Sequence, residues 1–177
     1  MRETIRRIAE AAAASAAGAD AAATARFVDA LQRAPRVFLV GAGRSGLVAR
    51  GFAMRLRHLG REAYVAGEAS TPAAAKGDLV VACTASSRTA TTVAIARSAI
   101  RAGIDVAVVT TSGELAAWND AAIAVGLPVS EASAGAAPLG SVFELAAQLL
   151  LDAAVVELMT RLGVDEGAMR ARHATLE

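Results

Sequence analysis

The chain has few of the residue types that usually carry metal, redox or stacking chemistry. One cysteine, Cys83, occurs in 177 residues, so no intramolecular disulfide can form and nothing marks an oxidising compartment. The only histidines are His58 and His173. Neither lies beside another ligand type, which argues against a zinc site. Aromatic residues make up 3%, too few for a base-stacking surface. A formal net charge of +1 gives no broad electrostatic case for nucleic acid or an anionic membrane. No run approaches the ~18 uncharged apolar residues of a membrane span. The opening "MRETIRRIAEAAAASAAGAD" lacks the continuous apolar stretch of a signal peptide, and Glu3, Glu10 and Asp20 do not suit a transit peptide. The expectation is a soluble, cytoplasmic protein without a bound metal.

Aliphatic side chains are abundant instead. A hydrophobic content of 55% suffices for one domain with a substantial Ala, Val and Leu core. The length is short for a dehydrogenase, which normally carries a substrate domain beside its cofactor domain. Residues 2–33 read as helix, with a break near Gly18 and Asp20. Strands are expected at 36–40, 62–66, 78–83, 104–110 and 121–127, of which "RVFLV" (36–40) is a continuous apolar run after its first residue, as a strand buried on both faces should be. Between them, helices are expected from about Ser45 to Leu59, from the turn "TASSRT" to about Ala102, and briefly near Glu114 to Trp118. A long loop from Pro128 to Gly140 precedes a helix over 141–162, closed by Gly163, and a helical tail. Such alternation implies an α/β fold: a parallel sheet with right-handed crossovers and helices on both faces. The chain reads as a single domain, with N-terminal helices (1–34), an α/β core (35–140) and C-terminal helices (141–177).

Two loops have ligand chemistry. "GAGRSG" (41–46) fits G-x-G-x-x-G, a dinucleotide fingerprint, but it also offers a helix N-terminus, the Ser45 hydroxyl and Arg44. "TASSRT" (84–89) crowds Thr84, Ser86, Ser87 and Thr89 at a second helix start. Each hydroxyl could simply cap its helix. Four in six residues exceed what capping needs, and two neighbouring helix ends form a cradle for one phosphate dianion. A dinucleotide site has no use for the second loop, and its ribose-binding acid would have to be Glu68, out in a loop.

Glu144 has two readings. "SVFE" (141–144) fits a capping box, in which Glu144 reaches back to the Ser141 N–H. Alternatively, part-buried at the start of an apolar helix, its carboxylate could act as a general base. His58, in a last helical turn, suits a structural role opposite the helix dipole. Asp152 and Glu157 suit polar contacts, and Cys83 an inert place in a buried strand.

"VFLVGAGRSGLVARGFAMRLRHLG", "GEASTPAAAKGDLVVA", "PLGSVFE" and the terminal "RHATLE" together resemble the 6-phospho-3-hexuloisomerases of the sugar isomerase (SIS) fold, from about Arg36 to Glu177. The resemblance implies a single SIS domain with a five-stranded parallel sheet in flavodoxin-like order. It implies interconversion of 3-hexulose 6-phosphate and fructose 6-phosphate, a step of formaldehyde fixation by the ribulose monophosphate route, with no cofactor. It further implies a homotetramer with active sites at subunit contacts. Carried over residue by residue, Gly43, Arg44, Ser45, Thr84, Ser86, Ser87 and Thr89 form the phosphate site. Glu144 matches the catalytic base, and His173 a tail histidine assisting from a neighbouring subunit. Where the family often has Ser-Gly-Ser-Gly-Glu-Thr, this chain has "TASSRT", keeping Ser86 and Thr89 but placing Arg88 where a glutamate is common. Other readings are a different phosphosugar aldose–ketose isomerase, a non-catalytic sugar-phosphate sensor, and a dinucleotide-binding module.

Overall fold

The continuous apolar runs form the middle of a sheet. In the computed structural model, which describes residues 1–175, the strands are β1 (Arg36–Val40), β2 (Glu62–Val65), β3 (Leu79–Cys83), β4 (Asp105–Thr111) and β5 (Ile123–Leu127). All pair in parallel in the order β2-β1-β3-β4-β5, the flavodoxin-like order. Alternate side chains serve two cores. Val37, Leu39, Leu79, Val81, Ala107, Val109 and Val125 meet one helical layer, and Phe38, Val40, Val80, Val106 and Val108 meet the other.

The first layer comprises α1 (Arg2–Ala17), α2 (Ala21–Arg33), α3 (Gly43–His58) and, after the short α5 (Glu131–Ala134), the long α6 (Ser141–Leu162). The second consists of α4 (Ala90–Arg101) and a 3-10 helix, Ser112–Trp118. The tail adds α7 (Glu166–Arg170). The break between α1 and α2 falls where expected, with the Asp20 carboxylate accepting from the Ala23 N–H at 2.7 Å. No helix among the described residues is long and apolar enough to cross a membrane.

Strand limits fall within two residues of expectation, and two further departures bear on the site. The segment read as loop from Pro128 to Gly140 contains α5, capped by the Ser130 hydroxyl, which accepts from the Ser133 N–H at 3.1 Å. α3 begins at Gly43, two residues before Ser45, because Gly43 takes a positive φ of 57° and turns the chain directly into the helix.

At the amino ends of the neighbouring strands β1 and β3, Asp78 is buried at 2% exposure and holds Arg36 by two bonds of 2.6 and 3.0 Å. Burial alone would raise its pKa, but the guanidinium and the Ala75 N–H outweigh burial and hold the carboxyl below its usual 3.8. A depressed folded pKa gives stability that is complete above the unfolded value and is lost as pH falls through the folded one. The stability advantage over Asp78→Asn should therefore be constant from about pH 7 to 5 and shrink below about pH 4. Urea unfolding across that range checks it, and a gap that instead widens in acid contradicts this origin.

Candidate functional site

β1 and β3 are neighbours, yet the chain leaves β1 towards β2 on one side and reaches β3 on the other. This reversal opens a crevice at their carboxyl ends. Val40 lies opposite Ala82 in register, so "GAGRSG" and "TASSRT" leave the sheet side by side.

The glycines of the first loop have packing reasons. A Cβ on Gly46 would sit 2.8 Å from the Gly41 carbonyl oxygen, and one on Gly41 would sit 2.9 Å from the Ser45 oxygen. Both contacts are backbone against backbone, with no flexible end to yield. Gly46→Ala should cost about 1–3 kcal/mol of stability, the usual scale of overpacking. Chemical denaturation checks this, and an unchanged midpoint would mean that the turn opens freely.

Neither helix start is capped by a side chain. The N-cap positions, Ala42 for α3 and Thr89 for α4, make no side-chain cap hydrogen bond. The capping explanation for these hydroxyls is thus not realised, and the first-turn N–H groups of both helices face the crevice end of the sheet. Ser86 and Thr89 are exposed and Ser45 is half-buried. Thr84 is buried at 2% exposure, and its hydroxyl has no hydrogen-bond partner among the described residues.

Ser87 is engaged elsewhere. At a positive φ of 53°, its hydroxyl accepts from the Trp118 indole at 2.8 Å and lies 3.2 Å from that of Thr110. It therefore anchors the buried Trp118 and the 3-10 helix to the loop, a structural task that sequence reading had not assigned it. Arg88 is exposed and 3.9 Å from Glu114.

The capping box at α6 does not form. Leu139 and Gly140 both adopt positive φ, 55° and 82°, which makes Gly140 the N-cap and Ser141 the first helical residue. The Ser141 hydroxyl and N–H both donate to the Pro138 carbonyl, at 2.7 and 3.1 Å. Glu144, 8% exposed, is left to take Arg44, whose Nε donates to its Oε2. This pair joins the N-terminal turns of α3 and α6, and no sequence periodicity announces it across 100 residues. Glu144 also raises the neighbouring Cys83 thiol, which burial chiefly pushes up to about 12, so the thiol is inert at neutral pH, as expected from its strand.

His173 is not brought to Glu144 within the chain. Its ring stacks on that of His58 at 5.1 Å, at the far end of α3, about 22 Å along the helix from Gly43 at 1.5 Å per residue. Arg172 beside it donates to the His58 carbonyl at 3.2 Å, satisfying a helix C-terminus. Leu176 and Glu177, the end of the "RHATLE" motif, lie outside the described residues. The Glu68 carboxylate is 3.9 Å from Arg50 and its side chain is 47% exposed, as befits a surface carboxylate. Asp152 accepts from Gln148 at 2.9 Å. No group of three His, Cys, Asp or Glu among the described residues could hold a metal ion.

Two strand-to-helix turns at a sheet reversal, with a buried carboxylate beside them, define a doubly wound α/β ligand-binding domain. The chain belongs to the SIS domain family, whose model matches residues 30–157. It is 36% identical over 158 residues to the 3-hexulose-6-phosphate isomerase of Bacillus subtilis, covering 86% of this chain and 85% of that one. It is 35% identical over 151 residues to the 3-hexulose-6-phosphate isomerase of Methanocaldococcus jannaschii, covering 85% and 82%. A crystal structure from Methanococcus jannaschii, from which that molecular function was inferred, superposes with a TM-score of 0.85 over 99% of both chains at 29% identity.

Proposed function

We propose that the protein is a phosphosugar isomerase that interconverts 3-hexulose 6-phosphate and fructose 6-phosphate. The observation that carries this reading is Glu144: a buried carboxylate released from capping and held by Arg44 beside two uncapped helix starts. The substrate phosphate sits on the first-turn N–H groups of α3 and α4, with the hydroxyls of Ser45, Ser86 and Thr89 as further donors and Gly43 leaving the backbone open. The identity to named isomerases supports the choice of sugar.

The chemistry moves a carbonyl from C3 to C2. Glu144 takes the C2 proton, and that C–H electron pair forms the C2–C3 double bond while the C3 carbonyl oxygen gains a proton. The resulting enediol collapses as the C2 hydroxyl loses its proton and C3 regains one from the same carboxyl. One carboxylate on one face of the sugar serves both carbons. No oxidant or cofactor is required. His173 lies at the far end of α3 in its own chain, and in this reading it serves the site of a second copy, in a homotetramer whose sites lie at subunit contacts.

A thermal-shift titration tests the ligand class. Fructose 6-phosphate should raise the melting temperature, since a ligand of the native state stabilises it by mass action, while NAD and NADH should not. Equal shifts with NAD would instead favour a dinucleotide domain.

A further inference from the structure

From the contact between α3 and α6, we infer that Arg44 is the positioning residue of Glu144, acting through the carboxylate rather than as a ligand of the substrate phosphate. This rests on Glu144 being the base proposed above. The Arg44 guanidinium gives its Nε to Oε2, whereas Oε1 has no hydrogen bond to another described residue. One carboxylate oxygen is fixed and the other remains for the proton. The exposures fit this division, since the Arg44 side chain is 60% exposed and that of Glu144 11%. The arginine thus lies over the carboxylate from the solvent side. Arg44 is the second residue of α3, and α3 starts in the "GAGRSG" turn, whose Gly41–Gly46 backbone contact is tight. The guanidinium therefore ties the aim of the carboxylate to the turn proposed to hold the phosphate. A planar guanidinium can fix a carboxylate direction in a way that an ammonium on a flexible stem cannot.

The test is steady-state kinetics on the full chain with Arg44→Gln, Arg44→Lys, Glu144→Gln and the double variant Arg44→Gln/Glu144→Gln. Because misplacing a reacting group by about 1 Å can cost about 10²-fold, Arg44→Gln should lower kcat by about that factor and leave KM within about threefold. Arg44→Lys should restore only a small part of the loss. In the Glu144→Gln background, Arg44→Gln should have almost no further effect, because residues acting as one unit are not additive. A raised KM with normal kcat overturns the inference and makes Arg44 a phosphate ligand. Full multiplicative loss in the double variant, or full activity in Arg44→Lys, overturns it as well. A parent chain that turns over no phosphoketose overturns the isomerase reading itself, whereas an active parent with an unaffected Arg44→Gln overturns the positioning role alone.

Discussion

Glu144→Gln is expected to reduce turnover by ~10²–10⁴-fold, the usual contribution of a positioned general base. Glutamine keeps the size of the side chain, and its amide oxygen can still accept from Arg44 Nε, so the melting temperature should barely move. No capping interaction is lost, because Gly140 and Pro138, rather than Glu144, serve the start of α6. Affinity for fructose 6-phosphate should stay near that of the parent, since the phosphate is placed on the turns of α3 and α4. Initial rates alongside calorimetric titration separate the two effects. Isomerisation by Glu144→Gln at close to the parental rate would place the base elsewhere.

The second large effect concerns adjacent serines with opposite expected outcomes. Ser86 is exposed on its loop, so Ser86→Ala should leave stability unchanged. It should weaken fructose 6-phosphate binding by roughly 1.5–3 kcal/mol, the scale of a hydrogen bond to a charged group. Ser87 carries the bond from the Trp118 indole, whose ring also has the Arg97 guanidinium 4.6 Å above it. Ser87→Ala should therefore cost about 1–3 kcal/mol of stability by leaving a buried N–H unpaired, with little change in affinity. Titration calorimetry and denaturant unfolding of both variants decide the matter. If Ser87→Ala loses the affinity instead, the phosphate lies deeper in the loop than proposed.

Local signals were legible where they had no competitor. β1 falls on Arg36–Val40 as expected because a continuous apolar run between polar ends has one way to be buried on both faces. α6 covers 141–162 and stops at Gly163, whose φ of 64° is the left-handed turn that glycine permits. The sheet order followed from the family resemblance, and that order places the two candidate loops together.

Less was legible where local and distant interactions compete. "SVFE" carries a capping signature, but two consecutive positive-φ residues shifted the cap to Gly140, and a cation from α3 claimed the carboxylate. Ser87 belongs to a Ser/Thr-rich turn in sequence, but its backbone twist directs the hydroxyl to Trp118, 31 residues on. For Arg44, nothing within the "GAGRSG" loop shows that its side chain ends on Glu144. Such pairings depend on which helix starts the sheet reversal brings together, a property of topology rather than of any window of sequence.

The most direct measurement is fructose 6-phosphate formation from ribulose 5-phosphate and formaldehyde, with a synthase that makes the 3-hexulose 6-phosphate in situ. The parent chain should produce fructose 6-phosphate at a rate proportional to its own concentration, with Glu144→Gln as a near-silent control. Accumulation of 3-hexulose 6-phosphate without fructose 6-phosphate would contradict the proposed isomerisation.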